Sequence, residues 1–145
     1  MCPNTAEAST LTDALRIQFL DTHNVRRSQL AQGNIGDAGP NRKTKLPPAK
    51  NMRELIWDCT LEMEATNHVR ACPVAAAGTS TNGENFHRVS SANLQYYRDG
   101  VKDAVVAWWK VYRFYSVPRQ IYMATHSAAS SYTQVCTTCS STALQ

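Results

Sequence analysis

The chain has 145 residues, the size of one ordinary domain, enough to bury a single core and too few for two. Hydrophobic residues make up 43% and charged residues 18%, which sets aside a disordered chain and a coiled coil, and no apolar run approaches the roughly 20 residues of a membrane span. The formal charge of +4 is scattered along the chain rather than banked on one element, so nucleic-acid binding is not indicated.

The first strong element runs from about Thr12 to Ala31. Thr12 caps it, Asp13 suits the positive end, and Ala14, Leu15, Ile17, Phe19 and Leu20 recur at helical spacing before Gly33 ends it. The next stretch, Gly33 to Lys50, holds three glycines and three prolines with Arg42, Lys43 and Lys45 clustered in it. It reads as a long surface loop, and a loop of that length is functional or is held down by a bridge or by packing.

A second helix begins near Asp58 or Thr60 and ends before Cys72-Pro73, with Leu61, Ala65, His68 and Val69 on one stripe. A third is expected from about Asp99 to Phe114, because Val101, Ala104, Val105, Trp108, Val111 and Tyr112 share a face; its tryptophans are core candidates first. The tail is rich in Ser, Thr and Ala, and any strands in it, at runs such as Ile121-Tyr122-Met123 and Tyr132-Thr133-Gln134-Val135, are short. No internal repeat and no Asn-x-Ser/Thr acceptor occurs.

Five cysteines, Cys2, Cys59, Cys72, Cys136 and Cys139, read as a structural disulfide framework in an oxidising compartment, with one left over. The pairing stays open at this point. Cys136-Thr137-Thr138-Cys139 has the spacing of a redox or metal pair, but a zinc ribbon needs a second pair, and a bridge from one of these two to Cys59 or Cys72 is the favoured use. Secretion requires an apolar leader, and Met1-Cys2-Pro3-Asn4 runs directly into polar residues, so either a leader has been removed ahead of Cys2 or the protein is not secreted.

Several segments taken together resemble the CAP superfamily of cysteine-rich secretory and venom-allergen-like proteins, most closely its nematode Ancylostoma-secreted-protein branch. They are Cys2-Pro3-Asn4, then Phe19-Leu20-Asp21-Thr22-His23-Asn24-Val25-Arg26-Arg27-Ser28, and Leu55-Ile56-Trp57-Asp58-Cys59-Thr60-Leu61-Glu62. Asn67-His68, Cys72-Pro73, Gly83-Glu84-Asn85-Phe86, Ala107-Trp108-Trp109 and Tyr132-Thr133-Gln134 follow in the family's order. The resemblance implies an α+β fold, a helix-rich CAP-type α-β-α sandwich, with the closing strands of its sheet missing here. It also implies an N-terminal extension at residues 1–11 following a removed signal peptide, and a single incomplete CAP domain at 12–145.

Many proteins of this kind gather two histidines and two acids in a central cleft, which in some members binds zinc. By motif only Glu84 is retained. The other three positions fall in Pro73 to Ala77, at Val111 and at Ser131, so no metal, no cofactor and no catalytic residue is expected. His87 and His126 have no recognised ligand spacing. Glu84 is read as pinning its loop. His23, Asn24 and Arg27 are read as anchoring adjacent loops by hydrogen bonds rather than as an acid-base group, and His68 as a satisfied core histidine.

The resemblance then implies a secreted, extracellular, non-enzymatic protein of a parasitic nematode that binds a host protein. The Arg42, Lys43 and Lys45 loop is the candidate contact surface. Lipid is the second partner class, in a groove lined by Phe86, Tyr96, Tyr97, Tyr112, Phe114 and Tyr115, and a metal-dependent hydrolase is the third reading.

Overall fold

The computed structural model describes residues 1–2, 11–36, 38–41, 43, 45–76, 82–90, 92 and 94–115. Helix α1 spans Asp13–Ala31, α2 spans Cys59–Val69 and α3 spans Tyr97–Lys110, followed by a 3-10 turn at Val111–Arg113. The predicted third helix therefore starts two residues early and tightens over its last turn, as helix ends commonly do. Among the described residues the β structure is limited to an isolated bridge at Ala38. The expected strands at 121–123 and 132–135 lie outside them, as do Cys136 and Cys139.

Local chemistry sets the helix ends. The Thr12 hydroxyl accepts the Leu15 amide at 3.3 Å, and the Asp58 carboxylate accepts the Thr60 and Leu61 amides at 2.8 and 3.1 Å, in both cases satisfying amides that have no partner within the helix. Helix α1 stops because Gly33 takes φ +69°. The Gly33 amide then reaches the Leu30 carbonyl and the Asn34 amide reaches that of Gln29, the paired bonds of a glycine-terminated helix. A Cβ on Gly33 would also meet Pro48 Cδ at 3.3 Å.

Helix α3 packs against α1, and the Gln18 amide side chain donates to the Arg98 carbonyl at 3.0 Å. The main core joins Leu30 to Ala104, Val105, Trp108, Trp109 and Tyr112. Ile35, Ala38 and Leu46 belong to the same core, so the proline- and glycine-rich stretch after α1 is not a loop lying wholly on the surface. It folds back through a bond from the Leu46 amide to the Ile35 carbonyl at 2.9 Å and one from the Gly39 amide to the Tyr112 carbonyl at 3.0 Å.

The face that α1 buries differs from the aliphatic one expected. Ile17 is 48% exposed, while Arg16, His23, Arg27 and Leu30 are buried. In α2 the stripe likewise turns: Leu61 and Ala65 are buried, but Glu62 joins them and Val69 stays exposed. Arg16 and Glu62 are buried because they pair with each other between α1 and α2. Cys59, at the start of α2, bridges to Cys2, which corrects the expectation of a bridge to Cys136 or Cys139. Cys72 is an exposed free thiol at φ +47°.

Candidate functional site

The polar residues that α1 buries divide into two clusters. Near its start, Arg16 has no exposed surface and makes a two-pronged pair with Glu62, Nε to Oε2 at 2.8 Å and Nη2 to Oε1 at 2.5 Å. The Trp57 indole N–H donates to the same carboxylate at 2.6 Å, and Asp13 takes the remaining Arg16 nitrogen at 2.6 Å. Burial pushes the Glu62 carboxyl up, but the bonds from Arg16 and Trp57 outweigh it and hold the group below its ordinary range. Each charge therefore has a fork-shaped partner, the geometry that makes a buried ion pair tolerable.

The second cluster lies two turns on. The Asn24 side chain donates to the Leu55 carbonyl at 3.0 Å and accepts the Leu55 amide at 2.9 Å. Arg27 donates through Nε and Nη2 to the Arg53 carbonyl at 3.1 and 2.6 Å. These two side chains thus hold the backbone of residues 53–55, the segment leading into Trp57 and α2. His23 makes its bond within its own helix, Nδ1 to the Phe19 carbonyl at 2.9 Å, and its ring lies against Trp108 with centroids 6.2 Å apart. Beside this clamp, Asn24, Arg27, Ser28, Met52, Arg53 and Glu54 line an open cleft of about 320 Å³. Its most polar wall is already committed to the backbone.

Glu84 is 7% exposed in its side chain, and its Oε1 stands 3.5 Å from His68 Nε2. His68 lies edge-on to Phe86, whose carbonyl accepts the Trp108 indole N–H at 3.3 Å. Nε2 of His68 is buried without a hydrogen bond, so it is not the satisfied core histidine expected. His87 does not join Glu84; it pairs with Asp103 at 3.1 Å on the outer surface of α3. Val111, at the family's second acid position, borders the apolar core. Residues 73–76 supply no ligating side chain, and Ser131 and His126 lie outside the described residues. One carboxylate and one imidazole at 3.5 Å do not fit the four-donor zinc site that the fold family implies, and among the described residues no group of three potential donors gathers.

The aromatic residues do not share one groove. Tyr112 is buried against Trp109 with centroids 5.6 Å apart, and Phe86 packs on His68. Tyr96 precedes α3 beneath Arg98, whose guanidinium stands 4.6 Å from its centroid. Phe114 and Tyr115 are exposed at the other end, roughly 25 Å away along the helix rise. The Tyr97 side chain lies outside the described residues. In the basic loop Lys43 and Lys45 are exposed, while Arg42 lies outside the described residues.

A helix whose histidine, amide and guanidinium serve the scaffold, a disulfide tying the N-terminus to α2 and a glutamate beside the second helix define a disulfide-stapled helical domain. The chain belongs to the cysteine-rich secretory protein (CAP) family, whose model matches residues 20–142. It is 39% identical over 102 residues to the Ancylostoma secreted protein of Ancylostoma caninum, a match covering 70% of this chain and 23% of that protein. It is 30% identical over 117 residues to Venom allergen 5.02 of Vespa crabro, covering 69% of this chain and 55% of that protein. The chain therefore spans well under two thirds of either relative. The crystal structure of Na-ASP-1 superposes with a TM-score of 0.69 at 24% identity, over 93% of this chain and 37% of that one, a likeness of fold.

The Arg16–Glu62–Trp57 network was missed in the sequence reading. No spacing within one helix signals that pairing; what α1 does show is Arg16, His23 and Arg27 at the i, i+7 and i+11 positions of one helical face, a polar stripe that hydrophobic periodicity passes over.

Proposed function

We propose that this chain is a secreted, extracellular, non-enzymatic CAP-domain protein of a parasitic nematode, acting by binding a protein of the host. The observation that carries this reading is the fate of the central cleft. Its retained acid, Glu84, faces His68 instead of a ligand set, and the polar residues of α1 are spent on backbone clamps. The name of the Ancylostoma caninum relative supports secretion, and the disulfide supports an oxidising compartment. The single domain at 12–145 presents Lys43 and Lys45 outward, and with Arg42 these form the contact surface, suited to an acidic partner.

The test is host-cell binding by the protein in which Arg42, Lys43 and Lys45 are all replaced by Gln. Binding weakened tenfold or more, with unchanged circular dichroism, supports the assignment. Undiminished binding removes the loop from it.

A further inference from the structure

His23 is 1% exposed at the seam between α1 and α3. Its Nδ1 bonds to the Phe19 carbonyl, so in the neutral ring the proton sits on Nδ1 and Nε2 is an acceptor. Nε2 is buried with no hydrogen-bond partner. Adding a proton there creates a second donor with nothing to receive it, inside a low-dielectric seam where an unpaired charge is costly. The charges that act on the ring from α1 are the Arg26 and Arg27 guanidinium groups, both of the same sign as an imidazolium. From α3 the ring is faced by the uncharged Trp108 indole. No carboxylate is among these groups. Burial, reinforced by the two arginines and opposed by the Phe19 bond, pushes the ring's pKa down to about 4.

The other junction of α1 has the opposite character. Helix α2 is joined to it by the Arg16–Glu62 fork, whose carboxylate is held in its charged form, and by the Cys2–Cys59 bridge, which does not titrate.

We propose that His23 makes the α1–α3 seam an acid-release joint, in which protonation of the buried imidazole parts α3 from α1 while α2 stays fastened to α1. The proposal is independent of the binding function above. Its consequence is that the apolar faces of Val105, Trp108 and Trp109, buried at neutral pH, become accessible in acid. The sign follows from linkage. The folded ring titrates below the ordinary histidine value of 6.5, so its contribution is full above that value and falls away as the pH drops toward the folded pKa.

The experiment is hydrogen exchange on the disulfide-intact chain at pH 7.0 and 4.5, corrected for intrinsic exchange rates, for the wild type, His23→Gln and His23→Phe. With the ring shifted from 6.5 to about 4, protection across 101–109 should fall by nearly two orders of magnitude. Protection across 61–69 should change less than threefold, and either substitution should abolish the difference. Retained protection of 101–109 in the wild type at pH 4.5 overturns the proposal, as does equal loss in 61–69 or an undiminished acid response in both variants. Should both variants fail to fold, the His23 ring resonances of the wild type decide. Titration at or above pH 6.5 with native tertiary signals overturns the joint; titration well below it, with α3 signals broadening or shifting alongside, supports it.

Discussion

Replacing Asn24 by alanine should destabilise the domain more than a half-buried polar side chain ordinarily does. Among the described residues Asn24 satisfies both the amide and the carbonyl of Leu55, at 2.9 and 3.0 Å, and Leu55 is itself half-buried. Truncation leaves two backbone groups without partners, each costing about 1–3 kcal/mol where water is excluded. Because the cleft beside this clamp is open, water can recover part of that, and we expect a net loss of about 2–3 kcal/mol. Asn24→Asp keeps the acceptor for the Leu55 amide and loses the donor, setting a carboxylate against a carbonyl, so it should cost at least as much as alanine near neutral pH. Urea unfolding followed by tryptophan fluorescence reads the loss, and hydrogen exchange at the Leu55 amide locates it. A change within 0.5 kcal/mol for alanine, or unaltered protection at Leu55, would refute the view that this motif residue is a backbone clamp.

Three further perturbations follow from the same contacts. Glu62→Gln removes the two-pronged partner of the fully buried Arg16 and leaves it only the exposed Asp13 as counter-charge, which should cost about 3 kcal/mol by urea unfolding at pH 7. Because the Glu62 carboxyl is held below its ordinary 4.5, the wild type keeps that contribution above pH 4.5 and loses it as the pH falls through the folded value, so the gap between wild type and variant should narrow below pH 4. Replacing Cys2 and Cys59 by serine opens a loop of 57 residues and should remove about 2–4 kcal/mol, with peptide mapping of the unreduced wild type recovering the 2–59 pair. Gly33→Ala forces a Cβ into a left-handed backbone against Pro48 and should cost about 1–2 kcal/mol in thermal unfolding, whereas Gly36→Ala, with open space at the same distance, should be near neutral.

Helix existence and ends were legible because their signals are local: Thr12 and Asp58 as caps, Gly33 as a stop, the apolar spacing from Val101 to Tyr112. The buried face of α1 was not. Arg16 reads as a solvent residue until Glu62, 46 positions later, is known to lie opposite it, and no periodicity of one segment carries that pairing. The same holds for Ile35, Ala38 and Leu46, which look like punctuation among glycines and prolines yet belong to the main core. At the central cleft, motif order identified Glu84, but its neighbour is His68 from the preceding helix, at 3.5 Å. His87, three residues after Glu84 but without a ligand spacing, faces Asp103 instead. Cysteine counting established a disulfide framework and left its pairing to geometry.

The central claim is that the buried polar interior of this domain is scaffold and that function resides on its outer surface. Host-cell binding by the His68→Ala, Glu84→Ala double variant, shown by circular dichroism to be folded, tests it most directly. The account predicts binding within twofold of the wild type. Loss of binding in the folded variant would contradict it and place the function in the central cleft.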